Sequence, residues 1–505
     1  MNLSGVCLAG LSFALAFGLK AETRGTFDWR DGGSFVLSGK AVCETKDGLV
    51  APADRPCDLR YDIVAKGPGK LCVRFERHVD GKVLPAYGSG ANFVLSGREK
   101  TCTAEHTVPA GAWDALVLTG ENIEVASVKV TPLERRETPE LMRTADGRPV
   151  KDRTTWEKTR RREIRELFEN EIYGRRPAEH PARLSFAAAE PDKVMMDGKA
   201  VRKRIRVSYG DRCGDSSFVV TAFVPASATR EKPAPAFLLI CNRDPKKNLD
   251  PERQVKSGFW PAEQIVDRGY AAIAFFNGDV TTDARWDFTN GVYGVFQKAG
   301  ERTTEDWGIL SAWAWGASRV MDWIETEPTL DAKHVAVVGH SRGGKTSLLA
   351  GVTDARFAMA CVNDSGCGGA KLNHWNLPLS EHYVQIHGVN CWFCGNFIKY
   401  PNREQEVNFD AHWWMALMAP RLLAVASATE DAWAGQEGEF QAARLASPAW
   451  ELYGQKGLVG PGYSEAEKPL QEGCVSYHLR VGKHDLTPYD WDRYMDFADR
   501  NGWRQ

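Results

Sequence analysis

Gly339-His340-Ser341-Arg342-Gly343-Gly344-Lys345 stands between an apolar run, His334-Val335-Ala336-Val337-Val338, and a segment of helical character, Lys345-Thr346-Ser347-Leu348-Leu349-Ala350. Strand, sharp turn and helix in that order form the setting of a nucleophile elbow. Glycines on either side of Ser341 relieve the Cβ clashes of a strained turn, so the hydroxyl stands exposed and the helix N-terminus points free N–H groups toward a reacting carbonyl. Ser341 is therefore the candidate nucleophile.

Working outward from the elbow, apolar runs at 236–240, 270–276, 334–338, 357–362, 422–428 and 475–481 read as strands, with helical patterns at 262–267, 307–325 and 490–500. Strands alternating with helices predict a doubly wound, mostly parallel sheet with both faces covered, an α/β-hydrolase architecture over 151–505. A charged helix at 156–173, closed by Gly174 and Pro177, opens this region. Residues 24–133 carry short strand-like runs (34–37, 71–75, 123–130) with no helical stretch between them, which predicts a small β-sandwich-like accessory domain. The charged stretch 134–150, with Pro139 and Pro149, reads as a linker.

A chain of 505 residues is long enough for two folded units. Its 64 Lys and Arg balance 66 Asp and Glu, and basic runs interleaved with aromatics are missing, which excludes a nucleic-acid surface as the main business of the protein. The apolar stretch 6–19, ended by Lys20 and Ala21, has the size of a signal-peptide core and is too short for a membrane span. Residues 1–21 are accordingly expected to be a leader, with a secreted or periplasmic mature protein and no membrane span. Removing Cys7 with the leader leaves 11 of the 12 cysteines, an odd number. Cys43, Cys57, Cys72 and Cys102 are close enough in sequence to pair in an oxidising compartment. Cys391-Trp392-Phe393-Cys394 has redox or zinc spacing, but no βαβ start precedes it and no second ligand pair accompanies it. The 17 Trp suit either large-helix cores or sugar stacking, and packing is the default reading.

In α/β-hydrolases the triad follows the chain order Ser, acid, His, each on a loop at the carboxyl end of a strand. That order prunes the 11 histidines. His412 lies in a helical, Trp-rich stretch and His478 in mid-strand, where packing is expected. His484 directly follows the last strand, in Val481-Gly482-Lys483-His484-Asp485, and is the candidate base. Two carboxylates compete to orient it. Asp364 ends the strand after the elbow helix and Asp431 follows the next strand; each is also a plausible loop-capping Asp.

These strings together resemble the glucuronoyl esterases, carbohydrate esterase family 15. The resemblance rests on the elbow, on Asp364-Ser365-Gly366-Cys367-Gly368-Gly369-Ala370, Trp392-Phe393-Cys394-Gly395-Asn396-Phe397, Asp431-Ala432-Trp433 and Gly482-Lys483-His484-Asp485-Leu486-Thr487, and spans 139–503. It implies hydrolysis of esters between 4-O-methyl-glucuronic acid on xylan and lignin alcohols, with no metal or cofactor. It further implies Arg342 beside the oxyanion, Lys345 on the sugar hydroxyls, and Glu381 and Trp433 lining the uronate pocket. Relatives place a longer Glu where this chain has Asp364, and the stretch 371–388 departs from the family pattern around Glu381. The shorter side chain at 364 makes Asp431 the expected partner of His484.

Physical chemistry gives Arg342 and Lys345 independent weight. A cation at a helix N-terminus opposes the macrodipole, so its presence there invites a functional reason, and a donor aimed at a developing oxyanion supplies one. Lys345 lies about one helical turn past Ser341 and faces the same way. A carbohydrate substrate is the expected partner and a monomer the expected state. Two other functions compete: an esterase for acetyl or other acyl groups on polysaccharide, since a triad fixes acyl transfer and not the acyl donor, and a carbohydrate-binding protein with an inactive hydrolase domain.

Overall fold

The computed structural model describes residues 138–504 apart from 178–179, 285–286, 299, 376–379, 387–390, 402, 405–406, 461 and 464; before them it describes 15–16, 25–26, 33–43, 57–79, 82–84, 90–108 and 113–133. The chain divides into two units, Met1–Glu137 with Asn376–Ser380, and Thr138–Trp375 with Glu381–Gln505.

In the first unit the long strand Trp113–Leu133 pairs antiparallel with Gly33–Cys43, Cys57–Lys66 and Pro68–Val79. Lys100–Val108 extends the ladder beside Cys57–Lys66, and Gly90–Ser96 beside Pro68–Val79. Alternate residues such as Tyr61, Ile63, Leu71, Val73, Leu118 and Ile123 turn inward to a core of their own. Cys72 and Cys102 are unbridged thiols there. The side chains of Cys43 and Cys57, and the expected leader apart from Leu15–Ala16, lie outside the described residues.

The second unit is built on nine strands: β1 (Arg183–Met195), β2 (Ala200–Asp211), β3 (Gly214–Pro225), β4 (Ala234–Cys241), β5 (Ala271–Phe276), β6 (Leu330–His340), β7 (Met359–Asn363), β8 (Leu422–Ala428) and β9 (Val475–Arg480). Their order across the sheet is β1-β2-β3-β5-β4-β6-β7-β8-β9. From β5 to β9 every neighbouring pair is parallel. The first three strands run antiparallel, an extension that the apolar patterning does not foretell.

Alternation explains how the sheet is covered. Leu238, Ile240, Val335 and Val337 face one apolar cluster with α3 (Ile309–Ile324) and α4 (Arg342–Thr353). Phe237, Leu239, Ala336 and Val338 face another with α2 (Ala262–Asp267) and α6 (Pro488–Arg500). A sheet buried on both faces needs strands apolar on both, which is how β4 and β6 read. α3 is buried at every position, and most tryptophans are core, eight of them fully buried. The remaining helices used below are α1 (Arg161–Phe168), inside a helical run from Arg153 to Tyr173 that contains two π turns, and α5 (Gln436–Ala446). Gly174 ends that run at φ 81°, where a Cβ would meet the Asp306 carbonyl at 2.5 Å. Leu141 and Val150, in the stretch read as a linker, are buried in this unit's core, and Arg160 on the adjoining helical run donates to the Leu141 carbonyl.

Candidate active site

β6 runs straight into the elbow. Ser341 has φ 58° and ψ −127°, a left-handed conformation that a residue with a Cβ adopts at a cost of about 1–3 kcal/mol. The surroundings enforce it. A Cβ on Gly339 would lie 1.9 Å from the Gly343 carbonyl oxygen, so only glycine lets α4 fold back so tightly on the strand. The Ser341 N–H donates to the Asn363 carbonyl at 2.9 Å, which ties the elbow to the end of β7, and the Lys345 N–H donates to the Ser341 carbonyl as α4 begins.

The neighbouring strand ends deliver an imidazole and two carboxylates. His484, in the loop after β9, places Nδ1 2.5 Å from Asp431 Oδ2, in the loop after β8. This charge-assisted contact fixes the ring's orientation and its tautomer. Glu430 donates its N–H to the Gly482 carbonyl, and buried Arg480 donates to the carbonyls of Lys483 and Asp485, so the loop is held from both sides. His412 and His478 are engaged elsewhere, on the Pro139 carbonyl and on Asp490. Burial lowers the His412 pKa to about 4, consistent with the packing role expected for it.

Asp364 is also present, in a different state. It ends β7 with φ 43°, is fully buried, accepts from Arg480 Nη2 at 3.1 Å, and has one carboxylate oxygen without a partner. Burial first, and then the charge of Asp431, hold its pKa well above the usual carboxylate range. Ligand atoms of Asp364, Asp431 and His484 lie within 4.8 Å of one another, the one such trio among the described residues. The His484–Asp431 contact at 2.5 Å is closed on itself, whereas two ligands of one tetrahedral zinc stand about 3.3 Å apart. The geometry is that of a hydrogen-bonded pair with a buried third carboxyl beside it.

Beneath His484 lies His340, whose ring centroid is 4.4 Å away. Its Nδ1 is 2.6 Å from Asn363 Oδ1 and its Nε2 faces Arg243 Nη2 at 3.3 Å. Burial, and next the neighbouring His484, push its pKa well below 6.5, so it is neutral, donating from Nδ1 and accepting at Nε2. Arg243 also pairs with Asp485 at 2.7 Å. Residue 340 is the variable position of the elbow motif, and no spacing rule singles it out.

The two cations of the elbow helix occupy different environments. Arg342 is partly exposed; Nε lies 2.8 Å from Asp283 Oδ2 and Nη2 donates to the Asn242 carbonyl at 2.9 Å. Lys345 is buried, its Nζ 2.5 Å from both Glu381 Oε2 and the Ser365 carbonyl. Lys345 is thus a buried, paired cation and not a solvated charge on the helix surface. Glu381 accepts from Trp433 Nε1 at 3.3 Å, and Trp433 is 47% exposed, a rim residue beside a buried ion pair. The structure thus joins Lys345, Glu381 and Trp433 despite the atypical sequence around Glu381. Glu439 on α5, which the sequence does not mark, supports them from behind. Its Oε1 accepts from the N–H and hydroxyl of Ser365 and the N–H of Gly366, and its Oε2 accepts from Ser427 Oγ. Burial raises its pKa to about 7.

A serine on a strained elbow at the carboxyl edge of this sheet, with a histidine and acid on later strand ends, defines an α/β-hydrolase. Comparison with known proteins narrows the class. A family model described as glucuronyl esterase of fungi matches residues 254–454. Carbohydrate esterase MZ0003, from an unknown prokaryotic organism, is 34% identical over 391 residues, covering 72% of this chain and 89% of the relative. The 4-O-methyl-glucuronoyl methylesterase of Podospora anserina is 31% identical over 229 residues, 42% of this chain and 45% of that one. The solved glucuronoyl esterase from Solibacter usitatus superposes with a TM-score of 0.67 at 34% identity, covering 73% of this chain and 99% of that one. The chain belongs to the glucuronoyl esterase family, carbohydrate esterase family 15, and is a carboxylic ester hydrolase.

Proposed function

We propose that the protein hydrolyses esters of 4-O-methyl-glucuronic acid, including those joining glucuronoxylan to lignin alcohols, through a Ser341-His484-Asp431 triad. The observation that carries this reading is the 2.5 Å contact of His484 with Asp431 at the strand ends beside the strained elbow. Ser341 Oγ attacks the ester carbonyl while His484 Nε2 takes its proton. The tetrahedral oxyanion forms beside Arg342, where one well-placed donor contributes about 3 kcal/mol or more to the transition state. His484 then returns the proton to the departing alcohol, and water hydrolyses the acyl-enzyme by the same route in reverse. Asp431 holds the ring through Nδ1 and stabilises the imidazolium as it forms. Lys345 and Glu381, a buried pair, face the sugar hydroxyls, and Trp433 offers an exposed ring to the pyranose.

Support for the acyl donor comes from relatives whose names specify 4-O-methyl-glucuronoyl methyl esters. Among the described residues no helix is long and apolar enough to cross a membrane, and a polymeric substrate fits an enzyme released by the 1–21 leader. The deciding experiment compares turnover of methyl glucuronate with that of p-nitrophenyl acetate. Preference for the glucuronate supports the reading, preference for the acetate shifts it to a general acyl esterase, and glycan binding without turnover would leave an inactive hydrolase. Ser341→Ala and His484→Ala are each expected to lower kcat by about four orders of magnitude or more, with the double variant little worse, because a triad acts as a unit. N-terminal sequencing of the exported protein tests the leader.

A further inference from the structure

Arg342 does not reach its place by sequence adjacency alone. Its guanidinium carries five N–H donors. Nε faces Asp283 Oδ2 at 2.8 Å, and Nη2 gives one hydrogen to the Asn242 carbonyl at 2.9 Å. The Nε–H is not aligned as a hydrogen bond, so Asp283 acts as an ion-pair partner that, together with the Asn242 carbonyl, flanks the inner edge of the guanidinium. The other oxygen of Asp283 is engaged too, since Trp392 Nε1 donates to Oδ1 at 2.9 Å. Trp392 is anchored in turn: its carbonyl accepts the Leu310 N–H at the start of α3, and its ring lies 5.8 Å from Lys345 Nζ. The Cys391-Trp392-Phe393-Cys394 stretch, which has the spacing of a redox pair, thus presents an indole to the active site. The Cys394 thiol is buried, and burial pushes its pKa up to about 11, far from a reactive thiolate.

We propose that Asp283, clamped by Trp392, is a positioning residue that aims the Arg342 guanidinium at the developing oxyanion. The inference rests on the reading of Arg342 given above. A carboxylate beside the guanidinium dampens its charge, so the arrangement favours catalysis only if placement matters more than bare charge. A pre-aimed donor acts chiefly in the transition state, and its loss therefore falls on kcat rather than KM.

The test is a double-mutant cycle on methyl glucuronate. Asp283→Ala is expected to lower kcat about 30-fold, with KM changed by about twofold or less, and Asp283→Asn, which keeps the shape and the Trp392 contact, about fivefold. In an Arg342→Ala background either substitution should change kcat by less than about twofold, since there is no guanidinium left to aim. The same fold loss in both backgrounds, a loss confined to KM, or no loss would each overturn the proposal. Thermal unfolding of Asp283→Asn checks that the fold is retained. Turnover surviving in Ser341→Ala would sink the underlying triad reading; failure of the cycle with Ser341→Ala dead and Arg342→Ala impaired would sink this inference alone.

Discussion

Two neighbouring strand ends each bring an aspartate toward His484, and the protein treats them oppositely. Asp431, after β8, lies 2.5 Å from the imidazole Nδ1. Asp364, after β7, is enclosed with Arg480 and keeps one oxygen unpartnered, and burial beside Asp431 raises its pKa far above the ordinary range. The residue type is the same and the loops are adjacent, so environment alone sorts them into a hydrogen-bonded partner of the imidazole and a buried neighbour whose charged form is disfavoured. Like charges this close are not both held ionised in a dry site.

The largest expected effect breaks the pair directly. Asp431→Asn presents an amide to Nδ1 and disfavours the tautomer that leaves Nε2 free to accept a proton, so kcat should fall by about 10⁴ with the fold intact. Steady-state kinetics on methyl glucuronate measures it. A loss under tenfold would move the triad acid to the other strand end.

Next in size is Arg480, which serves both regions. It is buried, pairs with Asp364 at 3.1 Å and Asp490 at 3.0 Å, and holds the carbonyls of the His484 loop. Arg480→Met takes the cation from buried Asp490, removes the donor to Asp364 and frees the loop, which should cost about 3–5 kcal/mol in urea unfolding. Stability unchanged within about 1 kcal/mol would show that these contacts contribute nothing net to the fold.

What the sequence makes legible follows from the range of each constraint. The elbow is local, because Gly339 and Ser341 obey a clash within one turn, and β4 and β6 are apolar on both faces. Strands β1 to β3 carry no such mark. β2 runs Arg202-Lys203-Arg204, and its charges are met across the ladder by Glu190 and Asp192, a match that exists only once the strands are paired. Asp283, Arg243, Glu439 and Arg480 escape notice for the same reason: each meets its partner across a sequence separation that spacing rules cannot bridge. Glu381 sits in an atypical stretch, yet the buried Lys345 draws it into place.

Glu439 extends the comparison, being a second buried acid with a raised pKa. Its folded value of about 7 exceeds the ordinary 4.5, so the folded state keeps a proton that the unfolded chain releases between those values. Stability from this group is therefore full below about pH 4.5 and declines as pH rises toward 7. Glu439→Gln mimics the protonated acid and cannot titrate. Relative to the unmodified protein it should gain on the order of 2 kcal/mol as pH rises through that window, read from denaturant midpoints at several pH values. A parallel pH dependence in both proteins would mean that Glu439 stays ionised.

The smallest effect is expected at Asp364, and it sharpens the contrast most. A carboxyl already neutral gives little electrostatic help to an imidazolium, and Asn reproduces its shape and its acceptor for Arg480. Asp364→Asn should therefore lower kcat about tenfold or less, through small shifts of Arg480 and the His484 loop, against the 10⁴ expected at Asp431. Because the folded pKa of Asp364 is raised, the native state again holds a proton that the unfolded chain loses, and the variant should be relatively more stable above the ordinary carboxylate range than below it. Two results would redraw the picture. A reversal of the two losses makes Asp364 the acid despite its shorter reach, and two moderate losses mean that either carboxylate can serve His484 when the other is removed.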